Sequence, residues 1–160
     1  MQALRRRAEG MHQFTNTRRV NHAAGDMFDL VADVERYPEF VPLCRRLRVR
    51  TRTKSPGGVE TIVADMDVAY KLVRESFTTR VMLDRPKLQI FVQYVEGPFR
   101  HLDNRWTFRP IAEHICDVEF YISYEFRNRI LGMLMGSMFD LAFRRFTSAF
   151  EQRADKIFRT

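Results

Sequence analysis

The sequence predicts an α+β fold in which a strongly curved antiparallel sheet of six or seven strands wraps around one long C-terminal helix, with two short helices after the first strand. Three observations carry this. Apolar residues alternate with period two over most of residues 47–126, as strands with one buried and one wetted face require. From Arg129 to about Ile157 the period becomes helical. Between the first strand and that run lie only short helical patterns, the second broken by Pro38 and Pro42, whose rings cannot continue a helix.

Taken in order, His12 to Val20 reads as a first strand, and Ala23 to Val31 as a helix with Asn21 available as its N-cap. Asp33 to Leu43 is aromatic and allows one or two helical turns. Leu47 to Thr53 is a strand that turns at Ser55-Pro56-Gly57-Gly58 into Val59 to Tyr70. In that return strand Ile62, Ala64, Met66, Val68 and Tyr70 share one face, and Asp65 and Asp67 the other. Val73 to Leu83, Leu88 to Tyr94, His101 to Arg109 and Ile115 to Phe126 complete the run. The final helix carries Leu131, Leu134, Met135, Met138, Leu141, Ala142 and Phe146 on one side, widened by Phe139, Phe143 and Phe150. At about 1.5 Å per residue it is roughly 43 Å long, against roughly 33 Å for a ten-residue strand, so it can cross the sheet diagonally. A straight helix and a curved sheet diverge away from their line of contact, and the gap must hold side chains or a ligand.

A chain of 160 residues with 45% hydrophobic and 29% charged residues suits one domain. The ordered pattern begins at Met11, which sets residues 11–158 as that domain and residues 1–10 as a loose arm. Fourteen Phe against five Tyr and one Trp favour a dry interior over a hydrogen-bonding cleft. The formal net charge of +7 favours anionic partners without choosing among phospholipid, RNA and acidic protein. Cys44 and Cys116 lack metal-ligand or disulfide-framework spacing and read as two buried thiols in a reducing compartment. Apolar runs fall short of the roughly 18 residues that span a bilayer, and MQALRRRAEG has no following apolar region. A cytoplasmic or matrix-like protein, peripheral to an inner membrane, is expected.

Several strings resemble a known family. Tyr37-Pro38-Glu39-Phe40-Val41-Pro42-Leu43-Cys44 is similar to the YPxFxPxC element of the coenzyme Q-binding and ribosome-association-toxin family, within the START-like polyketide cyclase/dehydrase superfamily. Phe77-Thr78-Thr79-Arg80, Glu96-Gly97-Pro98-Phe99, Leu102, Trp106-Thr107-Phe108, Val118-Glu119-Phe120, Tyr124-Glu125-Phe126 and Ala149-Phe150-Glu151-Gln152-Arg153-Ala154 match its later elements in order. Leu43 departs from the family, whose members often carry Trp or Gly there. The resemblance implies the helix-grip (START/Bet v1-like) fold and a hydrophobic cavity. It also implies a polyisoprenoid quinone, ubiquinone, as the leading ligand, held without catalysis in support of respiratory electron transport. A bacterial branch is linked to the large ribosomal subunit, and the superfamily also contains polyketide cyclases. Ribosome association and cyclase-like catalysis are therefore the alternatives.

The residues expected to line the cavity are Phe40, Val41, Val68, Tyr70, Phe77, Phe91, Trp106, Leu134, Met138 and Phe139, with strand register deciding between Phe91 and its neighbours Ile90 and Val92. A long apolar tail gains roughly 0.8 kcal/mol per CH₂ removed from water, so a pocket of roughly 300–1,000 Å³ suits it. Gly132 and Gly136 leave room under the helix for a ligand or for close packing. The segment Tyr37 to Cys44 reads as a cavity mouth or a membrane-touching tip rather than a plug. Arg45, Arg46, Arg48 and Arg50 are the candidate contacts to an anionic membrane or to nucleic acid, Arg48, Arg50 and Arg52 alternating as a basic stripe. No aromatic residues interleave with them as a single-strand stacking platform requires. Catalysis and metal binding find little support. His12, His22, His101 and His114 are scattered, and Asp65 and Asp67 point away from the apolar face. No cofactor is expected beyond the bound ligand.

Overall fold

A computed structural model of the chain describes residues 11–158; the arm expected over residues 1–10 lies outside them. Seven strands form one antiparallel sheet in the order β1-β7-β6-β5-β4-β3-β2. They are β1 Met11–Val20, β2 Cys44–Lys54, β3 Val59–Tyr70, β4 Val73–Asp84, β5 Gln89–Glu96, β6 Phe99–Ala112 and β7 Ile115–Phe126. Helix α1 (Ala24–Ala32) and a 3₁₀ helix (Val34–Glu39) follow β1, and α2 (Arg129–Ile157) closes the described chain. From β2 to β7 each strand pairs with the next, so only β1 is placed by a long-range pairing, with β7.

The turns follow from residue chemistry. Gly57 and Gly58 adopt φ of 98° and 85° between β2 and β3, a region open to glycine. Lys71 (φ 54°) closes the β3–β4 hairpin in two residues. Pro38 lies inside the 3₁₀ helix and keeps it short. The Asn128 side chain caps α2 by accepting from the Leu131 N–H at 2.9 Å. Asn21, in contrast, is not the cap of α1: Ala23 occupies that position without a side-chain hydrogen bond.

The core lies between the concave face of the sheet and α2. Ile62, Ile90, Phe108, Phe120, Ile122 and Tyr124 face it from the strands, and Met135, Phe139, Phe143 and Phe150 from the helix. Phe150 stands edge-on to Trp106 with centroids 5.1 Å apart, and Phe99 packs edge-on to Phe139 at 5.5 Å.

The helix is rotated relative to the sequence reading. Its apolar residues cover more than half its circumference, so periodicity alone does not choose the inward face. Phe139, Phe143 and Phe150 form the centre of that face, and Leu134 and Leu141 face solvent. Gly132 and Gly136 do not open space for a ligand. A Cβ at the first would meet Phe126 at 3.9 Å and at the second His12 at 4.0 Å, both at the β1–β7 side of the sheet.

Candidate functional site

Under the middle of α2 the sheet curves away and leaves a space of about 80 Å³. Ala64, Met66 and Val68 of β3 form part of its floor, with Phe77, Thr79 and Val81 of β4. Ile90 and Val92 of β5, Leu102, Asn104 and Trp106 of β6, and Ile122 of β7 complete the floor. Phe139, Ala142, Phe143, Phe146 and Phe150 of α2 roof it, Leu47 of β2 closes one side, and Val34, Tyr37, Pro42 and Leu43 close one end. The space is smaller than the roughly 300–1,000 Å³ of ordinary ligand pockets, which corrects the expectation of a pocket of that size.

Val68, Phe77, Trp106 and Phe139 lie on this wall as expected of them. Phe91 does not. The pairing of Ile90 with Trp106 and with Leu83 turns Ile90 and Val92 inward and Phe91 to the convex face. Tyr70 is the last residue of β3 and is exposed at the β3–β4 hairpin. Leu134 lies on the solvent side of α2, and Met138 is half-buried beside the wall rather than on it. Phe40 packs edge-on to Phe150 with centroids 5.0 Å apart and lies under Arg153. Val41 is buried in the core. Phe40 and Val41 thus wedge the segment Tyr37–Cys44 in place, while Tyr37, Pro42 and Leu43 present the surface that meets the cavity.

Thr79 and Asn104 were missed by the sequence reading, although a signal existed. Each falls in phase with the apolar face of its strand, Thr79 between Phe77 and Val81, Asn104 between Leu102 and Trp106. Asn104 is held rigidly, its Nδ2 donating to the Tyr121 carbonyl at 2.8 Å and its Oδ1 accepting from Trp106 Nε1 at 3.1 Å. The Tyr37 hydroxyl donates to the Val31 carbonyl. Burial pushes its phenol far above the ordinary range, so it stays neutral. The wall therefore offers a large apolar surface, a few neutral polar groups and no ionised side chain.

The basic stripe on β2 is also corrected. A bulge between Val49 and Thr51 shifts the register, so Arg52 pairs with inward-facing Ile62 and turns to the opposite face from Arg48. Arg48 and Arg50 both bind Asp65, at 3.0 and 2.7 Å, and Arg52 binds Glu35 and Glu60, each at 2.9 Å. Arg46 is 4.0 Å from Asp67, and Arg45 is exposed. The Thr78 hydroxyl, donating at 2.6 Å, and then Arg50 and Arg48 hold the Asp65 carboxyl down at about 2. Asp65 is thus the centre of an ion cluster on the convex face, remote from the cavity.

Burial pushes the Cys44 and Cys116 thiols up to about 11, so neither supplies a thiolate at neutral pH. His12 stacks on Tyr124, His22 meets Asp155 at 2.7 Å, His101 meets Ser123 at 3.3 Å, and His114 lies beside Glu113. Among the described residues no three His, Cys, Asp or Glu converge on a point that would hold a metal ion. None of the described helices is long and apolar enough to cross a membrane.

A seven-stranded antiparallel sheet gripping a long C-terminal helix over an apolar cavity defines a START-like, helix-grip protein. The chain belongs to the polyketide cyclase/dehydrase and lipid transport family, whose profile matches residues 20–151. It is 32% identical over 148 residues to the ribosome association toxin RatA of Escherichia coli, covering 92% of this chain and 90% of that one. It is 30% identical over 142 residues to the mitochondrial coenzyme Q-binding protein of Drosophila melanogaster, covering 87% of this chain and 57% of that one. Among solved structures, an 18 kDa protein of Caulobacter crescentus superposes with a TM-score of 0.73 at 32% identity, over 91% of this chain and 97% of that one. The Zhui aromatase/cyclase from Streptomyces shares the fold with a TM-score of 0.76 at 17% identity, over 94% and 97% of the two chains.

Proposed function

We propose that this protein binds a hydrophobic small molecule between the sheet and α2 and performs no chemistry on it. A polyisoprenoid quinone such as ubiquinone is the ligand, and the role is that of a carrier or chaperone in support of respiratory electron transport. The observation that carries the reading is the cavity wall, apolar apart from the neutral groups of Thr79, Asn104 and Tyr37. Such a wall suits a carbonyl-bearing ring with a hydrocarbon tail. The tail gains roughly 0.8 kcal/mol per CH₂ buried, and the ring carbonyl finds donors on the sheet floor. General acid–base work requires a titratable group at the reacting atom, and the carboxylates of Asp65 and Asp67 lie on the other face. The relative named as a coenzyme Q-binding protein supports the ligand class.

At about 80 Å³ the cavity is smaller than a quinone ring requires, since an apolar cavity of about 150 Å³ holds only benzene. Binding therefore requires α2 to swing outward from the sheet. The helix is equipped for this. Its C-terminal half is tied down by Asn16–Thr147, Arg18–Glu151 and His22–Asp155, while its N-terminal half rests on apolar contacts from Met135, Phe139 and Phe143.

A second reading, association with the large ribosomal subunit, is favoured by several relatives at 32% identity that are known as ribosome association toxins. Its weakness is that Arg48, Arg50 and Arg52 already serve carboxylates of their own chain. The two readings separate in native mass spectrometry of gently purified protein, followed by solvent extraction. A stoichiometric quinone is the expected result. An empty protein that sediments with large subunits and is released as salt rises would overturn the first reading in favour of the second.

A further inference from the structure

At one end of the sheet the molecule exposes apolar side chains from two separate elements. The β3–β4 hairpin carries Leu72, 100% exposed, at its tip, with half-exposed Tyr70 at its base. The first turns of α2 carry Ile130, Met133 and Leu134, at 70%, 78% and 62%. Positions 130, 133 and 134 lie on one face of the helix, the face turned from the sheet. A fully exposed leucine at the tip of a two-residue hairpin has no packing role. A polar residue would serve the turn better.

Both elements belong to the same end. The Arg127 N–H donates to the Pro98 carbonyl at 2.8 Å, which joins the start of α2 to the β5–β6 turn. That turn abuts Phe77 in β4, four residues beyond the hairpin. Arg127 and Glu75 line the same surface cleft. The cavity also reaches this end. The Ala69 N–H donates to the Leu43 carbonyl at 3.1 Å, and Leu43 lies on the cavity wall.

The charge around these side chains is cationic. Arg45, Lys71, Arg74, Arg127 and Arg129 are all exposed there. Unlike Arg48 and Arg50, they form no ion pair among the described residues. The opposing carboxylates are Glu75 and Glu96, in the cleft beside Arg127, and Asp67, which accepts from Ser76 at 2.6 Å and faces Arg46. Lys71 lies 5.3 Å over the Tyr70 ring, so cation and aromatic ring are presented together.

We infer that this end is a docking face for an anionic phospholipid bilayer. Leu72, Tyr70, Ile130, Met133 and Leu134 enter the acyl boundary, and the surrounding arginines and lysine meet the phosphates. Apolar tips ringed by cations match the two layers of a lipid interface, greasy below and anionic above. An acidic protein surface would satisfy the cations and leave Leu72 in water. Docking in this orientation sets the Leu43 rim of the cavity against the membrane. The docking face stands apart from the identity of the cavity ligand, since it is read with empty vesicles.

The test is co-sedimentation of the full chain with vesicles of phosphatidylcholine alone and of phosphatidylcholine mixed with phosphatidylglycerol. The protein is expected to partition onto the mixed vesicles and to be released by salt. Lys71→Gln should weaken partitioning about fivefold, the share of one cation near an anionic surface. Leu72→Asp combined with Leu134→Asp should weaken it by more than about tenfold. These positions are exposed, so circular dichroism and melting should be unchanged. Leu72→Trp should be quenched by brominated lipid, while buried Trp106 should not. Partitioning unaffected by the double substitution, or no preference for the anionic vesicles, would overturn the inference. A concentration-dependent dimer abolished by that substitution, with vesicle binding intact, would overturn it too and assign the face to a second copy. Failure here leaves the extraction result untouched, and an empty cavity leaves vesicle binding untouched.

Discussion

Asn16 Nδ2 donates to Thr147 Oγ1 at 2.6 Å across 131 residues of sequence, pinning the C-terminal half of α2 to the edge strand β1. Thr147 is buried, and Glu151 and Asp155 follow at intervals of one helical turn with their own partners on and just after β1. Thr147→Val removes the acceptor and leaves the Asn16 amide without a partner, at an expected cost of about 1–3 kcal/mol. Thr147→Ser should restore most of it. Urea denaturation of the three proteins measures this, and equal midpoints for Val and wild type would show that the link is not what holds the helix.

Asp65 predicts an acid limb of stability. Its carboxyl is held at about 2 against about 4 in the unfolded chain. A depressed folded value means that the unfolded state binds the proton first. The contribution is present above pH about 4 and is lost as pH falls to about 2. After allowance for solvent screening of the arginines it amounts to about 1 kcal/mol. Asp65→Asn should cost this much at neutral pH and flatten the decline between those values. An unchanged acid profile would show that the ion cluster contributes nothing net.

Gly97 adopts φ of 144° with Phe77 directly opposite, where an added Cβ would lie 2.5 Å from Phe77 Cβ and 3.0 Å from its Cα. Neither atom can retreat, because both belong to the framework of β4. Gly97→Ala should therefore destabilise by about 2–3 kcal/mol. Gly25→Ala, in α1 with nothing within 4 Å of the new methyl, should stabilise by about 0.5–1 kcal/mol. Melting temperatures of the pair distinguish conformational strain from a general sensitivity of glycine positions.

The bounds of β3, β7 and α2 were legible in the sequence, because each carries a clean period over at least 12 residues. The resemblance on Tyr37–Cys44 and the later strings led to the family. What stayed hidden depends on tertiary geometry. The bulge at Val49–Thr51 turns Arg52 to the other face, and no local pattern marks it. Tyr70 keeps the phase of buried Val68 but ends β3 at the hairpin and is exposed there, which its alternation does not show. Leu134 and Phe139 are both apolar residues of one helix, and only the packed sheet selects between them. Thr79 and Asn104 were in phase with apolar neighbours and could have been found by asking which polar residues interrupt an inward face.

The cavity itself gives a prediction with two opposite signs in one experiment. Ala142 faces the void from the roof, so Ala142→Leu places three carbons in a space of about 80 Å³. Filling a void recovers roughly 24 cal/mol per Å³, and imperfect fit returns part of that, for a net gain of about 1 kcal/mol. The same side chain occupies the volume a ligand would take, so extractable lipid should fall to a trace while the melting temperature rises. Leu134→Trp, whose position the helical period made equally eligible as a cavity filler, projects into solvent and should leave the bound lipid unchanged. A ligand retained by Ala142→Leu but lost from Leu134→Trp would place binding on the outside of α2 and remove the cavity from the mechanism.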